Sequence, residues 1–220
     1  MKILVLGAAG MAGYTISHYL NEKGHDVTGF SRRKIRHCKS IEGDATDTEL
    51  VANLIKKGQF DSVINCIGIL NQFAENSKDM AVYLNSYFPH FLADITKDMK
   101  TQIIHMSTDC VFSGKNGNYT EKSFRDGDTF YDRSKALGEL EDEKNITFRN
   151  SIVGPDINKN GIGLLNWFMR QDGLIEGYSE VNWTGITTLH LAQAMEKAAE
   201  VKCSGLHNMV NNSIISKYEL

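Results

Sequence analysis

The sequence predicts an α/β fold, a doubly wound parallel sheet with a small C-terminal lobe, on three observations. Short branched apolar runs alternate with stretches of helical periodicity, the first of those runs stops abruptly at glycines, and the alternation loosens after about Gly154. The chain has 220 residues, 41% of them hydrophobic and 23% charged, which suits one α/β unit with a small appended lobe.

Each element has its own reason. Residues 3–6 form a continuous apolar run, as expected of a strand buried on both faces. Between 11 and 23, Met11, Ile16, Tyr19 and Leu20 recur at helical spacing, and Gly24 follows as a natural C-cap. Residues 27–30 read as a strand, 47–57 as a helix, 62–66 as a buried strand, and 77–99 as a helix holding Pro89. A strand at 102–106, an amphipathic helix at 131–144 and a strand at 146–149 continue the alternation. Right-handed crossovers between such strands give the Rossmann arrangement. Beyond it lie isolated helices at 162–170 and 189–201. Residues 215–220 read as an uncapped first helical turn, as though the chain were cut short.

Composition narrows the partners. A formal net charge of −3 leaves no nucleic-acid footprint, so a small molecule is the expected ligand. The four cysteines (Cys38, Cys66, Cys110 and Cys203) are far apart and form neither a zinc pattern nor a disulfide framework, which suits a reducing cytoplasm. No signal peptide or membrane span is expected.

The turn after the first strand, Gly7-Ala8-Ala9-Gly10-Met11-Ala12-Gly13, places glycine where a tight bend, close backbone approach to a pyrophosphate and helix–strand packing each demand it. Tight packing alone would also use glycines, but between this strand and this helix the motif points to a dinucleotide. After the second strand no acidic residue is available for the ribose hydroxyls. Ser31, Arg32, Arg33 and Lys34 stand there instead, which favours NADP(H) while leaving NAD(H) admissible. Asp44 and Ala45 follow the third strand, within reach of an adenine.

A second constellation carries the chemistry. Ser107-Thr108-Asp109 follows a buried strand, and Tyr131 and Lys135 are four apart on one helical face. This reading makes Tyr131 the proton donor to a developing alkoxide. Lys135 holds the nicotinamide ribose and lowers the phenol pKa, and Thr108 polarises the carbonyl.

In this combination and order the residues resemble the extended short-chain dehydrogenase/reductase superfamily. The stretch Ser107 to Gly114, then Tyr119-Thr120-Glu121, then Tyr131 to Lys135 with Gly138-Glu139, resembles the dTDP-4-dehydrorhamnose reductase family over residues 1 to about 200. The resemblance implies a catalytic set of Thr108, Tyr131 and Lys135. It further implies a cofactor lined by Gly7, Gly10, Met11, Gly13, Ser31, Arg32, Asp44, Ala45, Cys66, Ile67 and Gly68, with Asn85 supporting the lysine. Substrate contacts fall to Asp109, Cys110 and Asn150. Cys110 replaces the family's usual tyrosine, and Ile152 stands where a tryptophan is usual, which implies an altered sugar pocket. Thr15 occupies the position of a magnesium-binding glutamate, so no metal is expected.

The implied activity is NADPH-dependent reduction of a nucleotide-linked 4-keto-6-deoxyhexose for cell-surface polysaccharide. A UDP-2-acetamido-2,6-dideoxyhexulose reductase, a sugar-nucleotide epimerase and a non-catalytic NADP-binding subunit remain alternatives. A 4,6-dehydratase would need a second carboxylate where Cys110 stands. The expected partner is the nucleotide-sugar substrate, with no nucleic acid and no membrane, and a homodimer is compatible. Residues 1–153 form the NADP-binding unit in this reading. Residues 154–220 form a substrate-binding lobe interleaved with the last elements of the sheet. His105 reads as a satisfied core histidine, and Thr187 and Thr188 as helix caps. The role of Trp183 is open between packing and stacking.

Overall fold

The computed structural model describes residues 1–158 and 161–220. Its main sheet has seven strands, all paired in parallel: β1 (Lys2–Leu6), β2 (Asp26–Ser31), β3 (Lys39–Glu42), β4 (Ser62–Asn65), β5 (Gln102–Met106), β6 (Ile146–Arg149) and β10 (Gly205–Asn208). Their spatial order is β10-β6-β5-β4-β1-β2-β3, so the winding reverses between β1 and β4. A crevice opens at such a reversal, outside the carboxyl ends of the strands. Here Leu6 pairs with Asn65, so Gly7 and Cys66 emerge side by side at its mouth.

Alternation along β1 builds two cores. Ile3 and Val5 face one layer with Ile16 and Leu20 of α1 (Met11–Glu22) and Leu191 and Met195 of α8 (Thr188–Val201). Leu4 and Leu6 face the other, with Val51 and Ile55 of α2 (Thr48–Gly58) and Phe88 and Leu92 of α5 (Phe88–Thr96). Both sides of the sheet are thus covered at its centre, which is why β1 runs Ile3 to Leu6 without polar alternation. Asp47 accepts from the Leu50 N–H to start α2, as its position at the head of the periodic run predicts.

Three elements depart from the sequence reading. The helix expected at 131–144 is α6 (Phe130–Leu137) and ends seven residues early, because Gly138 turns the chain inward and Glu139 and Leu140 are buried. The long helix around Pro89 changes pitch: α4 (Lys78–Ala81), set off from α3 (Asn71–Asn76) by non-helical Ser77, leads into a π-helical turn, Val82–Tyr87, before α5. Pro89 is the second residue of α5, directly after the π-helical turn that interrupts the α-helical hydrogen-bond ladder. The C-terminal turn has a cap after all. Ser216 closes a short strand, β11 (Ile215–Ser216), which pairs with β8 (Asn182–Trp183). Its Oγ accepts from the Glu219 N–H (3.1 Å), while the Glu219 carboxylate accepts from the Ser216 N–H (2.7 Å).

In the smaller lobe β7 (Ile152–Val153) pairs with β9 (Ile186–Thr187), and α7 (Leu164–Phe168) stands apart from the sheet. Thr187 caps α8 by accepting from the His190 N–H, whereas Thr188 is buried against Gly154. The Trp183 indole N–H donates to Ser151 Oγ (2.8 Å) with the ring packed on Gly185, so the tryptophan is a packing residue. No helix among the described residues is long and apolar enough to cross a membrane.

Candidate active site

The first turn is shaped by its glycines. Gly7 has φ +82°, and a Cβ there would press on Ile67 and Cys66 at 3.1–3.2 Å. A Cβ on Gly13 would overlap the Gly7 carbonyl oxygen, so this glycine is needed for packing. Gly10 differs: its Cβ would meet only the Gly7 oxygen, at 3.4 Å, and the residue is exposed. Gly10 also opens α1 with no side-chain cap and no acidic residue in the first turn, which leaves the helix N–H groups and its positive end for an anion.

The loop after β2 supplies the cations. Arg32 is exposed, while Arg33 Nη2 donates to the Ala9 carbonyl (3.0 Å). The Ser31 hydroxyl donates to the Arg33 carbonyl (2.7 Å), which holds the loop bent. Asp44 accepts from the Thr46 N–H (2.9 Å) and hydroxyl (2.8 Å), and these bonds, with Arg32 nearby, hold its carboxyl below the ordinary range. Ala45 is buried against the core of that layer.

Opposite the glycine turn, Ile67 is held by its N–H on Asn65 Oδ1 (3.1 Å), and a Cβ on Gly68 would lie 3.8 Å from Lys135 Nζ. The Cys66 thiol is pushed up to about 12 by burial, so it is an inert wall group. Asn85, in the π-helical turn, is fully buried. Its amide accepts from the Ile69 N–H (2.8 Å) and donates to the Ile69 carbonyl (2.9 Å) and Ser134 Oγ (3.0 Å). It therefore clamps the loop after β4 to α6, the helix that carries Lys135.

α6 begins with a capping box: Thr129 Oγ1 accepts from the Asp132 N–H (3.1 Å), and the Asp132 carboxylate accepts from the Thr129 N–H (3.0 Å). This fixes the rotation that turns Tyr131 and Lys135 inward, where they are 7% and 4% exposed. Thr108 caps the short 3-10 turn Asp109–Val111, its hydroxyl donating to Asp109 Oδ1 (3.3 Å), and it stands close enough to Tyr131 to lower the phenol against its burial. Asp109 and Cys110 lie exposed beside them. Desolvation raises the Asp109 carboxyl, and desolvation with Asp109 nearby pushes the Cys110 thiol up to about 11. Asn150 is 4% exposed and its Oδ1 has no partner, a buried acceptor aimed at nothing in the chain.

One electrostatic expectation is overturned. The Tyr131 phenol is raised, above all by burial and then by Cys110, with only Thr108 lowering it. Lys135 is not among the groups that draw it down; its ammonium donates to the Met106 carbonyl (2.6 Å). Burial brings Lys135 itself down to about 8, opposed by Glu139. His105 is fully buried, with Nδ1 beside Asn65 Nδ2 (3.2 Å) and Nε2 unpartnered; burial and Lys135 hold it neutral. Among the described residues no group of three or more His, Cys, Asp or Glu is arranged to hold a metal.

The sequence motif Gly138-Glu139 gave no role to the carboxylate behind this set. Glu139 is fully buried at its side chain and held by Arg149 and Ser107; the available signal was an acidic residue four beyond Lys135.

A family model described as the RmlD substrate binding domain matches residues 1–162. The chain belongs to that family. Among its relatives, a protein named "probable low-salt glycan biosynthesis reductase" from Haloferax volcanii is 34% identical over 147 residues, covering 63% of this chain and 48% of the relative. The matched region thus spans about half of that curated relative. A hypothetical dTDP-4-dehydrorhamnose reductase from Sulfolobus tokodaii superposes with a TM-score of 0.86 at 25% identity, over 100% of this chain and 79% of the other. A dTDP-4-dehydrorhamnose reductase from Bacillus anthracis, solved in complex with NADP, gives 0.84 at 20% identity, over 99% of this chain and 78% of that one. The latter likeness is one of fold.

Proposed function

We propose that this member of the RmlD family is an NADPH-dependent reductase of a nucleotide-linked 4-keto-6-deoxyhexose. The observation that carries the proposal is the Thr108–Tyr131 hydroxyl pair, with Lys135 one turn along the same helix and facing the loop at Gly68. The relatives named for glycan biosynthesis and dehydrorhamnose reduction support the substrate class.

The cradle fits a dinucleotide. Gly10, Met11 and the head of α1 would take the pyrophosphate, and Ser31 and Arg32 the 2′-phosphate. Asp44 and Ala45 would flank the adenine, with Cys66, Ile67 and Gly68 along the opposite wall and Asn85 fixing that wall from behind. NADPH when bound supplies the hydride. Residues 1–153 form the cofactor half and 154–220 the substrate side, apart from α8 and β10, which complete the main layers.

The protein's own part is acid catalysis and placement. A phenol raised by burial keeps its proton throughout the neutral range, the state a reduction needs, and an alkoxide is basic enough to take it. Thr108 Oγ1 donates to the same carbonyl oxygen, so the growing negative charge meets two hydroxyls. Asp109, Cys110 and the unpartnered Asn150 Oδ1 face the sugar, the last accepting from a sugar hydroxyl or amide N–H.

The test is to follow NADPH absorbance with dTDP-6-deoxy-L-lyxo-4-hexulose and with a UDP-2-acetamido-4-hexulose. Oxidation dependent on the first confirms the reading, and oxidation with only the second moves the substrate to the acetamido class. Tight NADPH binding without turnover on either replaces it with a binding subunit.

A further inference from the structure

Glu139, just past the end of α6, is a carboxylate with no exposed side-chain surface, yet both oxygens are fully engaged. Oε1 accepts from Ser107 Oγ (2.8 Å) and Arg149 Nε (2.7 Å), and Oε2 accepts from Arg149 Nη2 (2.8 Å) with Arg125 Nε at 2.6 Å. Arg149 is itself buried, lies over the Phe112 ring at 4.8 Å and donates to the Glu121 carbonyl (3.3 Å). Such a cluster is a weak source of stability, since desolvation consumes most of its attraction and apolar replacements are often neutral. What marks it is where its arms end. Ser107 precedes Thr108, Arg149 precedes Asn150, and Lys135 is one turn back along the chain.

We propose that Glu139 is a positioning residue for the reaction: its carboxylate locks the ends of β5 and β6 that carry Thr108 and Asn150, and sets a negative charge behind Lys135. This rests on the reductase reading for its consequence, though not for its geometry. The groups facing Lys135 are Glu139 from its own segment, the Cys66 thiol after β4, and His105 and the Met106 carbonyl on β5. Cys66 stays a thiol and His105 stays neutral, so Glu139 is the standing anion among them. Burial draws Lys135 down to about 8 even with that anion in place, so without it the lysine would lose its charge near neutral pH.

The test is a ligand-free titration of Lys135 in the full chain by NMR of labelled lysine ammonium groups, the resonance assigned by Lys135→Met. Glu139→Gln keeps the volume and loses the charge. Its expected effect is a Lys135 midpoint lower by about one pH unit, with a basic limb of the NADPH-linked rate that moves down equally. Glu139→Asp, which keeps the charge but shortens the reach, should leave the midpoint near the wild-type value while lowering kcat. If Glu139→Gln does not fold, Glu139→Gln with Arg149→Met removes both charges together and takes its place. A folded variant with an unmoved Lys135 midpoint overturns the proposal. A wild-type protein that oxidises no NADPH overturns the reductase reading instead, and the titration still decides Glu139.

Discussion

Arg33 reaches back over the first turn and donates to the Ala9 carbonyl at 3.0 Å, so of two adjacent exposed arginines it is Arg33 that braces the glycine turn. The sequence alone could not divide these roles, because both cations follow β2 and only the bend held by Ser31 separates them. Arg32→Ala should weaken NADPH by roughly tenfold and leave NADH nearly unchanged, since it removes a charge-assisted phosphate contact alone. Arg33→Ala should weaken both, because the brace serves the pyrophosphate turn. Fluorescence titration with each dinucleotide separates the cases. Equal losses for both cofactors in Arg32→Ala would remove it from the phosphate site.

Tyr131→Phe keeps the buried ring and deletes the proton. Turnover should fall by about 10²–10⁴-fold, with NADPH binding within a few-fold of wild type and no loss in unfolding midpoint. Full activity in the variant would end the case for this phenol as acid.

How much of this was legible in advance depends on the range of the forces. The alternation of strands and helices, the glycine turn and the inward face that carries Tyr131 and Lys135 follow from local periodicity, and the structure has them as expected. The early end of α6 does not, because residues 139–144 still read as helix formers; what overrides them is Arg149, ten residues on, capturing Glu139. The particular bonds of Asn85 could not be foreseen for a related reason. Its partners at Ile69 and Ser134 are brought together only by the π-helical turn, which has no signature in single-sequence periodicity. The raised Tyr131 phenol likewise needed the burial and the approach of Cys110, neither of which is local in sequence.

Lys135 makes stability depend on pH in a definite sense. Its folded pKa, about 8, lies below the ordinary 10.5, so between these values the unfolded chain binds a proton that the folded chain does not. Stability from this group therefore rises with pH across that window. Below about 8 both states are protonated and the full penalty of the buried charge applies, on the order of 3 kcal/mol for a fully buried lysine. Lys135→Met should accordingly be more stable than wild type at pH 7, and the difference should shrink towards pH 10.5. Urea unfolding of both proteins across that range checks it, and a difference constant with pH would show that the lysine titrates normally.

Two glycines should respond to the same substitution in opposite ways. Gly138 has φ −93°, so alanine meets no backbone objection there, but its Cβ would overlap the Asn85 carbonyl oxygen where α6 rests on the π-helical turn. That neighbour is backbone in a packed core and cannot step aside. Gly138→Ala should cost about 3 kcal/mol or more, lower the urea midpoint and displace Lys135, with kcat falling alongside stability. At Gly10 the Cβ would meet one oxygen at 3.4 Å, an ordinary contact, on an exposed turn. Gly10→Ala should therefore leave the urea midpoint unchanged while weakening NADPH and NADH alike, because the added methyl stands where the pyrophosphate must approach the backbone. Unimpaired dinucleotide binding in Gly10→Ala would mean that the cradle between β1 and α1 is not where the cofactor lies.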